Sequence, residues 1–274
     1  MKKLLLLVFT LSTTFLYAQD LIKVKGNREV TTEISPLEPF ETIEINGDFE
    51  IEIVPGPSPQ VEITTDSNLH QYLAASVLDG KLVVTTTVKI RTKKEMKFRI
   101  VYGPNLKTII VTDDAELSSI TNLEFENLQL NIQKDAKVYL TASVNDLVLN
   151  VEGSSKSELN LTGQRAVINF KDKTRCEALI KYDNLEVNMK DSADAKIEGD
   201  INTGKLYLSD RSTFKGKNLV FKDLELLIKN KATGEVNVKS NLRLESDDDA
   251  ETTVFNSPKI ELKKLNGKSV LKKG

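Results

Sequence analysis

From Leu106 onward, short runs of alternating apolar and polar residues recur at a near-constant interval. They open at Leu128, Leu147, Val167, Leu185, Leu206, Leu224, Leu242 and Ile260, and a less regular unit starts at Leu106. The seven steps from Leu128 to Ile260 average about 19 residues. Within a unit the grammar is constant. A period-two run such as Leu147, Leu149 and Val151 is followed by a polar turn such as Gly153-Ser154 or Asp191-Ser192. A second alternating run, such as Leu159 and Leu161, closes the unit. On a strand, period-two alternation sends one set of side chains inward and the other outward. Leu149 should therefore tolerate no charge, whereas its outward neighbour Asn150 should accept an Asp at little cost.

One such unit cannot bury its own apolar face, but stacked copies can. A propeller blade needs about 40–45 residues, too many for this period. A leucine-rich repeat would need a helix or tight 3₁₀ segment and an Asn ladder, and neither is evident. Two architectures remain: a parallel β-helix-like solenoid with one coil per unit, or an antiparallel meander of hairpins. Hairpins favour Asn-Gly or Asp-Gly turns, and the repeat region offers only Asn266-Gly267. The prediction is an all-β solenoid of eight or nine coils. Parallel strands about 4.8 Å apart would make it a rod roughly 40 Å long.

Residues 20–103 follow another pattern. Ile43, Ile45, Phe49, Ile51 and Ile53 alternate up to Pro55-Gly56-Pro57-Ser58-Pro59, which no strand can cross with its ladder intact. One short helix is expected over Asn68–Ala75, capped by Asp66 or Ser67, with Leu69, Tyr72 and Leu73 on one face. Asp79-Gly80 then turns into a strand over Leu82–Val88. The expected organisation is a signal peptide over 1–19, a capping β subdomain with one short helix over 20–103, and the solenoid body over 104–274.

Several positions along this stretch carry a resemblance. Phe40, Ile43, Ile45, Gly47, the Ile51–Ile53 strand, Val61, Ile63, Leu69, Gly80-Lys81-Leu82 and Pro104-Asn105-Leu106 follow one another in a familiar order. Over roughly residues 35–230 the chain resembles the GIN-type auto-transporter adhesin head domain, found in exported proteins of Gram-negative bacteria. The resemblance implies a β-helix-like fold, no assigned catalytic residues and a function known only by inference. It departs at Asp113-Asp114, where family members often carry Gly or another small residue.

The first nineteen residues have the three-part layout of a secretory signal. Lys2 and Lys3 precede the apolar run Leu4–Leu11, and Ala18 offers a small residue for cleavage. The apolar stretch is short for a membrane span, and the absence of a nearby Cys argues against lipidation. Cleavage at Gln19 or Asp20, export to the periplasm or cell surface, and no later transmembrane segment are expected. The formal net charge of −2 becomes −4 once Lys2 and Lys3 are removed. That is the wrong sign for a nucleic-acid binder.

Candidate chemistry is sparse. His70 and Cys176 are the single residues of their kinds, so neither an intramolecular disulfide nor a plausible nucleophile pair with a third orienting group is in view. The acids Asp135, Asp172, Asp191, Asp210 and Asp248 recur at multiples of the period. Stacked, they would form a corner column able to attract calcium, or serve simply as turn residues. Asp247-Asp248-Asp249 with Glu251 is the densest acidic patch. Lys89, Arg91, Lys93, Lys94, Lys97 and Arg99 could share one outward strand face and hold an anionic glycan, or protect an edge. Lys263, Lys264, Lys268, Lys272 and Lys273 would shield the last coil. Glu158, Glu177 and Glu198 are the best acids for catalysis, without evident aromatic neighbours. No residue is assigned to catalysis, a cofactor or a metal. The expected function is a non-catalytic binding or structural module at the cell envelope, adhesin-like, with a glycan or protein ligand. The alternative is a β-helix polysaccharide lyase or glycosidase, and the two differ in whether a polysaccharide is turned over.

Overall fold

The computed structural model describes residues 22–274; the signal peptide expected over 1–19 lies outside the described residues. The repeat region is a parallel β-solenoid of about nine turns, with a coil offset of about 19 residues. Strands Lys137–Val151, Lys156–Phe170, Arg175–Met189 and Asp194–Leu208 stack side by side, each parallel to the next. The meander is excluded by that polarity.

Each of these strands is one bent segment carrying both runs of a unit. In Lys156–Phe170 the buried positions are Ser157, Leu159 and Leu161, then Ala166, Ile168 and Phe170. The alternation slips by one residue across Thr162–Arg165, and the strand turns a corner there. Register then stacks like upon like. Leu149 lies between Leu130 and Ile168, and Val151 between Ile132 and Phe170. These inward columns form one continuous core.

The other corner is a tight turn with a fixed rule. One residue per coil adopts the left-handed conformation: Asp113, Lys134, Gly153, Asp172, Asp191, Asp210, Asn230, Asp248 and Gly267. Asp, Asn and Gly dominate because they pay least for positive φ. Asp113, the point of departure from the resembled family, sits at such a corner with φ +61. Two residues further on, a small side chain is turned inside at every corner but the last: Ala115, Ala136, Ser155, Thr174, Ala193, Ser212, Ala232 and Ala250 are buried, whereas Ser269 of the uncovered last coil is half-buried.

Parallel stacking is not confined to residues after 103. Strands Thr42–Asn46 and Glu50–Pro55 form a coil paired in parallel with Thr108–Thr112 and Glu116–Ser118. On their other side lie Lys81–Thr86 and Met96–Tyr102, also parallel. Antiparallel strands then close this end. Gln60–Asp66 pairs with Met96–Tyr102, Val30–Pro36 with Gln60–Asp66, and Leu73–Leu78 with Lys81–Thr86. The short helix expected over Asn68–Ala75 shrinks to one 3₁₀ turn, His70–Tyr72, because Leu73 and its successors are drawn into the antiparallel strand. One helical turn does not repay its nucleation cost against a sheet ladder. Asp66 does not cap it. Its carboxylate instead accepts the backbone N–H groups of Arg28 and Lys94. Burial pushes this carboxyl up, but those donors outweigh it and hold it below its usual range.

The far end is different. Ile260 and Leu262 continue the inward columns of Leu242 and Leu244, yet they are 41% and 47% exposed because no described coil covers them.

Candidate functional site

Between inward Leu149 and Val151, Asn150 points outward, and the same position is Asn131 one coil earlier and Asn169 and Asn188 in the next two. Their amides form a continuous ladder. Asn150 Nδ2 donates to Asn131 Oδ1 at 2.8 Å, Asn169 to Asn150 at 2.8 Å, and Asn188 to Asn169 at 2.9 Å. Tyr207 and Leu227 extend the row beyond Asn188. This row belongs to a groove of about 670 Å³ running across the coils, walled by Glu152, Lys171, Lys190, Ser209 and Lys229 from the turns. The groove is long and open, a shape suited to an extended ligand.

The ladder's signal in the sequence is four asparagines 19 residues apart, each behind two alternating apolar residues; the apolar column alone does not reveal it, so the expectation that no Asn ladder recurs is corrected. The ladder also gives a source for the small cost expected of Asn150→Asp. That change keeps an acceptor for Asn169 but removes the N–H given to Asn131, so the outward position carries a cost.

The acidic corner column is real for Asp172, Asp191, Asp210 and Asp248, but Asp135 falls one residue beyond the left-handed Lys134. These carboxylates tie one turn to the next. Asp172 accepts the N–H of Gly153 at 3.1 Å, Asp210 that of Asp191 at 3.2 Å, and Asp248 that of Asn230 at 3.3 Å. The Asp191 N–H and the Ser209 hydroxyl hold the Asp210 carboxyl below its usual range. Among the described residues no three acidic, His or Cys side chains converge as a metal site would require.

The patch at Asp247–Asp249 and Glu251 is met by lysines of the last coil. Lys264 pairs with Asp247 and lowers its pKa, and Lys272 pairs with Glu251 at 2.8 Å. The basic run is not one face. Lys89 and Arg91 lie on a two-stranded sheet with Lys23–Lys25. Lys97 and Arg99 lie on another strand, where Arg99 pairs with Glu52 at 3.2 Å, and Lys93 approaches Asp48 at 3.6 Å.

Glu158 and Glu177 are neighbouring rungs, with Tyr139 on one side and Lys196 on the other. Local sequence offers these acids no aromatic neighbour, yet stacking supplies Tyr139 from 19 residues before Glu158. Lys196 Nζ lies 3.9 Å from Glu177 and 3.5 Å from Glu198. His70 Nε2 contacts Thr31 in the antiparallel cap, whereas Cys176 faces the core between Ser157 and Ala195. The two are not brought together. Burial pushes the Cys176 thiol up to about 12. The thiolate, the reactive form, is therefore strongly disfavoured in the folded protein. Iodoacetamide is expected to leave folded protein unmodified and to label it fully in guanidinium. Intact mass reads the result, and rapid labelling under native conditions would place Cys176 outside the core.

A family model described as "Putative auto-transporter adhesin, head GIN domain" matches residues 39–178 and 156–258. No curated protein matches the chain. Among solved structures it is similar to a "putative adhesin" from Parabacteroides merdae, at 20% identity and a TM-score of 0.62 over 92% of this chain and 99% of that one. A "putative lipid binding protein" from Parabacteroides distasonis matches at 16% identity and a TM-score of 0.64, over 92% and 99%. A "putative adhesin" from the same organism gives 17% and 0.62, over 92% and 100%. At such identities the likeness speaks for the fold alone.

Proposed function

Because the chain belongs to the auto-transporter adhesin head GIN domain family, we propose that it is a non-catalytic binding module of the cell envelope whose ligand lies along the Asn-ladder groove. The family's name implies export, and display at the periplasmic or outer surface is part of this reading. The observation that carries it is the ladder itself. Four stacked amides, each half-buried and aligned across successive coils, present a repeating polar strip on a rigid sheet. Rigid sheet residues hold a binding constellation with less ordering cost than loops do. The glycosidase alternative draws least support from Glu158 and Glu177, which face an open surface beside Lys196 instead of an enclosed cleft.

The test is the double substitution Asn150→Ala with Asn169→Ala, assayed on envelope fractions and a glycan array. Binding should fall at least tenfold while far-UV circular dichroism stays that of the parent. Undiminished binding by the folded variant would remove the groove from the function.

A further inference from the structure

Three features of the groove restrict the chemistry of what it can hold. The first is the valence left on the amides. Asn150 and Asn169 each give one N–H and accept one bond along the ladder, so each keeps one donor and one lone pair for a ligand. Hydroxyl groups both donate and accept, and they match such a rung better than a group of one kind. The rungs repeat at the parallel-strand spacing of about 4.8 Å, so a ligand meets two equivalent free rungs in succession at Asn150 and Asn169, whereas Asn188 gives its second N–H to Glu186 at 3.2 Å and Asn131 accepts a second bond from Gln129 at 3.4 Å.

The second feature is the end of the row. Tyr207 and Leu227 replace the amides there, giving an aromatic face and an aliphatic patch against which the C–H face of a sugar ring can pack. The third is the wall. Lys171, Lys190 and Lys229 line it against one acid, Glu152, and these lysines enter none of the ion pairs formed among the described residues, which engage other lysines such as Lys134 and Lys215. The nearby Asp172, Asp191 and Asp210 do not line the groove, and each has a carboxylate oxygen engaged by an adjoining turn's N–H; of the three wall lysines, Lys229 also shares its charge with Asp210.

Resting on the groove being the ligand face, we propose that it binds a linear acidic polysaccharide. The chain runs across the coils with its hydroxyls on the Asn ladder and its anionic groups against Lys171, Lys190 and Lys229.

Three probes separate the contributions: polygalacturonate, the same polymer fully methyl-esterified, and poly-L-glutamate. Polygalacturonate should bind at least tenfold more tightly than either of the others, because one lacks the charge and the other the hydroxyls. Lys171→Ser with Lys190→Ser should weaken polygalacturonate about tenfold and flatten its salt dependence, since exposed charges are screened by salt. Equal binding of the esterified polymer, lost on Asn150→Ala with Asn169→Ala, would overturn the acidic preference and leave the binding face standing. Equal binding of polyglutamate would reduce the effect to polyanion attraction and overturn the sugar assignment. No binding to polygalacturonate would overturn the proposal outright. If envelope-fraction binding were also indifferent to the Asn substitutions, the binding face would fall with it.

Discussion

Leu149→Asp is expected to abolish the cooperative thermal transition of the rod at ordinary temperatures, while Asn150→Asp lowers its midpoint by only a few degrees. Leu149 is 0% exposed and packed between Leu130 and Ile168 of the adjoining coils. Losing a buried leucine side chain costs about 2–5 kcal/mol. An unpaired carboxylate left in that column adds several kcal/mol more, or must take up a proton to avoid it. The sum is comparable to the whole stability of an ordinary domain, about 5–15 kcal/mol. Because each coil touches only its neighbours, the damage also separates the two halves of the stack. Asn150→Asp loses one amide bond, about 1 kcal/mol, which for a chain of this size moves the midpoint about 2–4 °C. Circular dichroism melts of the two variants decide the matter. Equal shifts would mean that inward and outward have been assigned the wrong way round.

Gly199→Ala is expected to be among the most damaging single-methyl additions in the body, costing about 3 kcal/mol or more from overpacking and backbone strain together. Gly199 has φ +126, and a Cβ there would stand 1.8 Å from the carbonyl oxygen of Ile180. That oxygen belongs to the backbone of the neighbouring coil, in register with Gly199, so it cannot retreat without opening the ladder. The site is also where the register slips against the following strand, Thr213–Ile228. Gly80→Ala is the control. Its φ is +73 but nothing lies within 4 Å of the added carbon, so only the left-handed penalty of about 1–2 kcal/mol applies. Thermal melts should rank the two clearly. Similar losses would show that the contact with Ile180 contributes little.

The solenoid was readable from sequence because its two periods, 2 and about 19, are both imposed by burial. A residue such as Leu149 must be apolar, and so must its counterparts a coil away. The corner Asp residues were visible too, but their cause was not. As isolated carboxylates they suggest a cation, whereas at positive φ they are chosen for backbone tolerance, and their oxygens then serve the next turn. Asp135 shares their spacing but not their conformation, because a spacing alone does not distinguish the left-handed position, Lys134, from its neighbour. The N-terminal cap was the least legible part. Leu69, Tyr72 and Leu73 satisfy helical spacing, yet Leu73 finds a better partner in Thr86 across an antiparallel pair, and such long-range pairing leaves no mark in a local pattern. The four asparagines of the ladder do stand 19 residues apart in the sequence, but their hydrogen bonds, like the meeting of Tyr139 with Glu158, exist only once coils are laid on one another.

The uniform corner makes one coil a heritable quantum of length. Removing residues 153–171 would join Glu152 to Asp172, placing one left-handed corner residue where another had been and bringing Val151 next to the coil of Met189. An in-frame duplication of the same segment would do the reverse, extending the rod by about 4.8 Å and, within the ladder, adding one more amide rung. Recombination between neighbouring repeats can therefore tune how far the molecule reaches and how many rungs it presents, leaving the antiparallel cap unaltered.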